Sequence, residues 1–208
     1  MRWLLFMVLC WPCVLLAESA SPGKSVLVLG DSLSAAFGMA PEQGWVAALA
    51  TRLSQQDEPW QVINTSLSGE TTAGGAARLE RVLKEHRPEI VILELGGNDG
   101  LRGLSLKQTR ANLEKMILQI QAHQARVLLL GMRLPPNYGD VYNQRFEAIF
   151  SGLATQMKLD YVPFFLQGVA IKPGLMQSDG IHPRAIAQQQ LLENIWPQLS
   201  SMLESAPQ

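Results

Sequence analysis

Residues 90–95 read IVILEL, an apolar run broken only by Glu94 and without polar–apolar alternation. A strand with one solvated face alternates with period two. An unbroken Val/Ile/Leu run belongs to a strand covered on both faces, the signature of a parallel sheet. SVLVL at Ser25–Leu29 and RVLLLG at Arg126–Gly131 repeat the pattern. WQVIN at Trp60–Asn64 and DYVPF at Asp160–Phe164 are weaker strand candidates. Helical spacing fills the gaps: Glu42–Gln55, Thr71–His86, Ser105–His123, Val141–Lys158, and a last helix running to about Glu204. Ala76, Leu79, Val82 and Leu83 share one helix face, as do Leu106, Leu113, Met116, Ile117 and Ile120. Pro183 suits the first turn of the last helix, and Pro197 is expected to kink or interrupt it. Strand–helix alternation throughout predicts a doubly wound α/β fold.

The chain has 208 residues, enough for one domain with a sizeable core. A net charge of −1 and no Lys/Arg cluster argue against electrostatic binding of nucleic acid. Ahead of the first strand, Arg2 is followed by an uncharged, mostly apolar run from Trp3 to Ala17, closed by Glu18. That run is short of the ~20 residues a bilayer span needs and has the length of a signal-peptide core. The expectation is therefore a signal peptide over residues 1–20, cleaved after Ala17 or Ala20, and one domain over 21–208, exported to a bacterial periplasm or beyond. An uncleaved anchor is the alternative. Both cysteines, Cys10 and Cys13, lie in this leader, where C-x-P-C has no strand before it to make a redox motif. A cleaved chain would then have neither a disulfide nor a cysteine nucleophile.

In open parallel sheets, ligands bind beyond the carboxyl ends of the strands, where strand order reverses. The residues in those places are Gly30-Asp31-Ser32-Leu33-Ser34, Asn64 to Thr71 (NTSLSGET), and Gly96-Gly97-Asn98-Asp99. A strand order of 2-1-3-4-5 makes these loops neighbours. Near the C-terminus stands Asp179-Gly180-Ile181-His182-Pro183, whose Asp and His are close enough in sequence for the carboxylate to orient the imidazole. Ser32, after a buried strand, is the candidate nucleophile. The Ser32 N–H, the Gly69 N–H and the Asn98 amide are candidate donors to an oxyanion. Singly these are common features: a capping serine, a turn glycine, a loop asparagine, a surface Asp–His pair. Together, each at a strand end or helix start, they describe acyl transfer. Asp31 and Asp99 are expected to accept loop N–H groups, and His86 and His123 to lie on the surface at helix ends. Leu134, Pro135, Pro136 and Tyr138, after strand four, are the candidate wall for an acyl chain, or else a stiff proline turn. No G-x-G-x-x-G, Walker A or zinc-ligand spacing appears, so no cofactor and no metal are expected.

The chain resembles the SGNH (GDSL-type) hydrolase family, in GDSLS around Ser32, SLSGET around Gly69, GGND around Asn98 and DGIHP around His182. The likeness runs from about Ser25 to the end. Within the family, ELGGNDGLRG (Glu94–Gly103), MRLPPNYG (Met132–Gly139) and QSDGIHP (Gln177–Pro183) are similar to its bacterial periplasmic thioesterase/lysophospholipase branch. Glu70 stands where that pattern has Asp, with the charge kept. The resemblance implies a three-layer α/β/α, flavodoxin-like fold with a five-stranded parallel sheet. It also implies a Ser32–Asp179–His182 triad acting on esters, acyl-CoA thioesters and lysophospholipids through an acyl-enzyme. A monomer acting on small-molecule acyl substrates is expected, without a nucleic-acid partner or a membrane span after leader cleavage. The rival readings are a carbohydrate O-deacetylase on the same scaffold and a non-enzymatic periplasmic binding module.

Overall fold

The computed structural model describes residues 24–205, so the leader, with Cys10 and Cys13, lies outside the described residues. Five strands form one parallel sheet: β1 (Ser25–Gly30), β2 (Gln61–Asn64), β3 (Ile90–Glu94), β4 (Arg126–Leu130) and β5 (Asp160–Val162). Their order is β2-β1-β3-β4-β5. β1 and β3, the continuous apolar runs, are buried along their whole length, whereas β2 and β5 form the half-exposed edges. β5 stops two residues short of the expected Phe164 because the ladder slips past Val162: Gly131 N–H donates to Val162 C=O, but Phe165 rather than Phe164 donates to Gly131 C=O.

The helices are α1 (Trp45–Ser54), α2 (Thr72–His86), α3 (Gly97–Leu101), α4 (Leu106–Ala122), α5 (Asp140–Met157) and α6 (Gln188–Glu204). α1 packs on α6, while α2, α4 and α5 pack side by side in that order. Right-handed crossovers put the first pair on one face of the sheet and the other three on the opposite face. The expected faces are used: Leu79, Val82 and Leu83 of α2, and Leu113, Met116, Ile117 and Ile120 of α4, are buried. Thr71 and Ser105 cap these two helices with side-chain oxygens that accept from Gly74 N–H and Gln108 N–H.

Two expectations at helix starts are corrected. Glu42 belongs to a separate 3-10 turn, Pro41–Gln43, and α1 begins only after Gly44, whose backbone is extended. Pro183 is not in the last helix. It bridges Met176 in antiparallel fashion, and a 3-10 turn, Ala185–Ala187, precedes α6. The reason is a closed loop: Gln177 N–H donates to His182 C=O and Arg184 N–H to Leu175 C=O, both at 2.7 Å. These bonds hold residues 175–184 in a hairpin-like shape incompatible with a helix. α6 runs through Pro197 without interruption. Pro197 and Glu193, whose carbonyl loses its N–H partner, both lie on the exposed side of the helix, while Leu191, Ile195, Leu199 and Met202 anchor the other side.

β1 is followed by a crossover to one face and β3 by crossovers to the other. The switch point therefore lies between the carboxyl ends of β1 and β3, which pair from Val26↔Ile90 to Gly30↔Glu94.

Candidate active site

Ser32 follows β1 by two residues, in a turn held by Ala35 N–H donating to Asp31 C=O at 2.9 Å. Asp31 Oδ1 accepts Leu33 N–H at 3.0 Å and braces the same turn from within. Ser32 is almost fully buried, and its Oγ lies 2.8 Å from His182 Nε2. His182 reaches it from a loop that Gly180 makes possible. Gly180 has φ +68°, in the left-handed region, and its N–H donates to Gln177 C=O at 3.0 Å. The tight bend places Asp179 Oδ2 2.6 Å from His182 Nδ1, while Asp179 Oδ1 accepts the N–H groups of Ile181 (2.9 Å) and His182 (3.0 Å). A carboxylate only accepts, so the shared proton sits on Nδ1, and Nε2 is left to accept the Ser32 hydroxyl. Partial burial pushes the Asp179 carboxyl up. The two backbone N–H groups and the imidazole outweigh it and hold the carboxyl down at about 2. The Phe37 ring lies against the imidazole, with centroids 4.3 Å apart at 33°.

Gly69 occupies the third position of a turn closed by Glu70 N–H donating to Leu67 C=O at 3.1 Å, and its φ of +78° is what that position requires. Among the described residues, no acceptor takes the N–H of Gly69 or of Ser32. Asn98 stands in the first turn of α3, and its Nδ2 donates to Asp31 Oδ2 at 2.9 Å, leaving one amide hydrogen over. Ser32, Gly69, Asn98 and His182 all line one cavity of about 740 Å³. The sheet topology thus gathers all four positions from segments far apart in sequence. The N–H groups of Ser32 and Gly69 and one hydrogen of the Asn98 amide are thus without an acceptor among the described residues, on residues that line the same cavity.

Of the candidate wall residues, Leu134, Pro135 and Pro136 line the cavity. Tyr138 does not, which corrects the sequence expectation. The 3-10 turn Pro136–Tyr138 carries it back over the fold, where its hydroxyl donates to Leu101 C=O at 2.9 Å and its ring stacks on Tyr142. It supports the wall from behind. Other apolar lining residues were missed, among them Phe37 after β1, and Phe164, Leu166, Ile171 and Met176 on the irregular segment between β5 and α6. Only Phe164 and Leu166 carried a signal, since they directly follow a strand's carboxyl end.

Glu70 turns away from the cavity and binds the Arg78 guanidinium, with Nε 2.9 and 3.0 Å from its two oxygens. Asp99 accepts Thr72 N–H at 2.8 Å and hydroxyls of Thr72 and Thr109, tying α3 to α2 and α4. His86 and His123 are half-buried at the ends of α2 and α4, outside the cavity lining. Among the described residues, no group of three or more His, Cys, Asp or Glu side chains is placed to hold a metal ion. No helix among them is long and apolar enough to cross a membrane.

Residues 28–190 match the model of the GDSL-like Lipase/Acylhydrolase family. The chain is 49% identical to Esterase TesA of Pseudomonas aeruginosa over 194 residues, covering 93% of this chain and 96% of that one. It is 44% identical to Thioesterase 1/protease 1/lysophospholipase L1 of Escherichia coli K12 over 179 residues, covering 84% and 83%. Among solved structures it resembles the psychrotrophic esterase EstA from Pseudoalteromonas sp., inhibited by monoethylphosphonate. The TM-score is 0.82 at 35% identity, covering 88% of this chain and 100% of that one.

Proposed function

The chain belongs to the GDSL-like lipase/acylhydrolase family, and from that premise we propose that it is a serine ester and thioester hydrolase working through Ser32, His182 and Asp179. The observation that carries the residue assignment is the hydrogen-bonded line from Ser32 Oγ to His182 Nε2 (2.8 Å) and from His182 Nδ1 to Asp179 Oδ2 (2.6 Å), opening on an apolar cavity.

Ser32 Oγ attacks the acyl carbonyl carbon while Nε2 takes the hydroxyl proton. The carbonyl π pair moves onto oxygen, where the N–H groups of Ser32 and Gly69 and the Asn98 amide receive it. Asp179 holds the ring in the working tautomer and stabilises the imidazolium. Collapse expels the alkoxide or thiolate, which takes the Nε2 proton, and leaves an acyl-Ser32 ester. Water, deprotonated by Nε2, repeats the sequence and frees the acid and Ser32.

The apolar wall of Leu134, Pro135, Pro136, Phe164 and Leu166 supports an acyl chain as the bound group, and argues against a carbohydrate O-deacetylase, which needs polar contacts to sugar hydroxyls. Residues 1–20 are read as an export leader, so that the hydrolase acts in the periplasm or outside the cell. A fluorophosphonate probe together with hydrolysis of p-nitrophenyl esters from acetyl to palmitoyl tests the reading. Wild type should be labelled and should prefer chains longer than acetyl. Ser32→Ala should take no label and lose at least about 10³-fold in kcat, with its far-UV CD spectrum unchanged. A Ser32→Ala variant that keeps turnover refutes the nucleophile, and activity confined to acetyl esters favours the deacetylase.

A further inference from the structure

The Asn98 carboxamide is gripped at both ends by charged groups that the triad does not use. Its Nδ2 donates to Asp31 Oδ2 at 2.9 Å. Its Oδ1 faces Arg102 Nη2 at 3.4 Å, and the same Nη2 donates to Gly69 C=O at 2.9 Å. We propose that Asp31 and Arg102 are positioning residues that clamp Asn98 in one polarity and tie it to the Gly69 turn, so that the oxyanion donors are aligned before substrate binds. The inference rests on the reading of Asn98 and Gly69 as oxyanion donors.

The chemistry of the two partners makes the clamp directional. A carboxylate only accepts and a guanidinium only donates. Rotating the amide by half a turn would set Oδ1 against Asp31 and the NH₂ group against Arg102, breaking both contacts. Only the observed orientation leaves a second Nδ2 hydrogen unspent on a residue that lines the same cavity as Ser32. Arg102 reaches both donors at once because it follows Asn98 by one helical turn, at the carboxyl end of α3, and lies across the Gly69 turn. A Cβ on Gly69 would stand 3.3 Å from Arg102 Nη2.

Asp31 is fixed in its turn. It is nearly inaccessible, and both its oxygens are occupied as acceptors, one by Leu33 N–H and one by Asn98. Behind it stands Glu94, fully buried at the end of β3. Glu94 Oε2 accepts the Ser34 hydroxyl at 2.6 Å and the Asp31 N–H at 3.2 Å. Burial, followed by repulsion from Asp31, drives the Glu94 carboxyl well above its ordinary range. Glu94 is thereby held toward its neutral form behind Asp31, whose own oxygens face donors, Leu33 N–H and the Asn98 amide. Preorganised donors of this kind stabilise charge that appears only in the transition state, so their alignment acts on kcat rather than on binding.

The decisive variant is Arg102→Met, because Arg102 is exposed and Met keeps an apolar stem. With p-nitrophenyl butyrate, kcat is expected to fall about ten-fold, KM to stay within about two-fold, and the thermal midpoint to hold. In an Asn98→Ala background the same substitution should cost less than about three-fold, since it acts through the missing amide. Asp31→Asn offers one acceptor oxygen for two donors and should lower kcat in the same way. Wild-type kcat in Arg102→Met overturns the clamp, as does a raised KM at constant kcat or an equal loss in both backgrounds. If Asn98→Ala itself turns over at the wild-type rate, the oxyanion reading falls and the clamp with it. A slow Asn98→Ala beside a fully active Arg102→Met removes the clamp alone.

Discussion

Asp31→Asn removes a buried charge and an acceptor, and the two losses act on stability at different pH. Burial pushes the Asp31 carboxyl up from 3.8 to about 6, against the opposing pull of the Leu33 N–H, the Asn98 amide and His182, with Glu70 adding to the rise. The folded carboxyl thus binds its proton more tightly than the unfolded one. Stability must fall as pH rises from 3.8 to about 6, with the full cost present above that. Raising the carboxyl that far costs the buried anion about 3 kcal/mol. Asparagine is neutral throughout and escapes this cost, but leaves either Leu33 N–H or the Asn98 amide facing a donor, a loss of about 1–3 kcal/mol at every pH. The variant should therefore be clearly less stable than wild type near pH 4 and should recover about 3 kcal/mol relative to it by pH 8. Urea unfolding followed by CD at several pH values, with a constant m-value, measures this difference. A difference that stays flat across the range refutes the buried-anion reasoning. A wild type that gains on the variant as pH rises would show Asp31 to be a stabilising ion instead.

Asn98→Ala should lower kcat by about 10²–10³ with KM little changed, and steady-state kinetics showing the reverse split would make Asn98 a ground-state contact. Asp179→Asn should cost about 10⁴ in kcat by favouring the wrong imidazole tautomer, and near-normal turnover would leave His182 working with Ser32 as a dyad. Because the Asp179 carboxyl is held at about 2, below its ordinary 3.8, the stability it contributes is present above 3.8 and is lost as pH falls through about 2. The stabilities of wild type and Asp179→Asn should therefore converge as pH falls from 3.8 to about 2, and their difference should be constant above 3.8. Gln177 Nε2 donates to Phe37 C=O at 2.8 Å and to Pro183 C=O at 3.2 Å, joining the serine turn to the histidine loop. Gln177→Ala should reduce both the thermal midpoint, by about 1–2 kcal/mol of stability, and fluorophosphonate labelling of Ser32. A variant with unchanged labelling rate would show that the two loops hold their register without it.

The core strands were legible in the sequence because burial on both faces leaves its mark strand by strand: β1, β3 and β4 are apolar runs whatever lies beside them. The edge strands were weaker signals for the same reason, since β2 and β5 meet solvent. Asp179 and His182 could be paired from sequence because three residues of chain bring them together, and Gly180 supplies the bend. The contact of Ser32 with His182 joins residues 150 apart in sequence. It depends on strand order and on the loop that Gln177 closes, the same closure that kept Pro183 out of α6. Tyr138 was misread because residues just past a strand end can face the cavity or turn behind it, and only the 3-10 turn decided which. Phe37, Ile171 and Met176 carry no periodicity, so nothing local marked them as cavity wall. The grip of Asp31 and Arg102 on Asn98 was equally invisible. Each is an ordinary residue in its own segment, and its effect exists only because the parallel sheet sets the carboxyl ends of β1, β2 and β3 side by side.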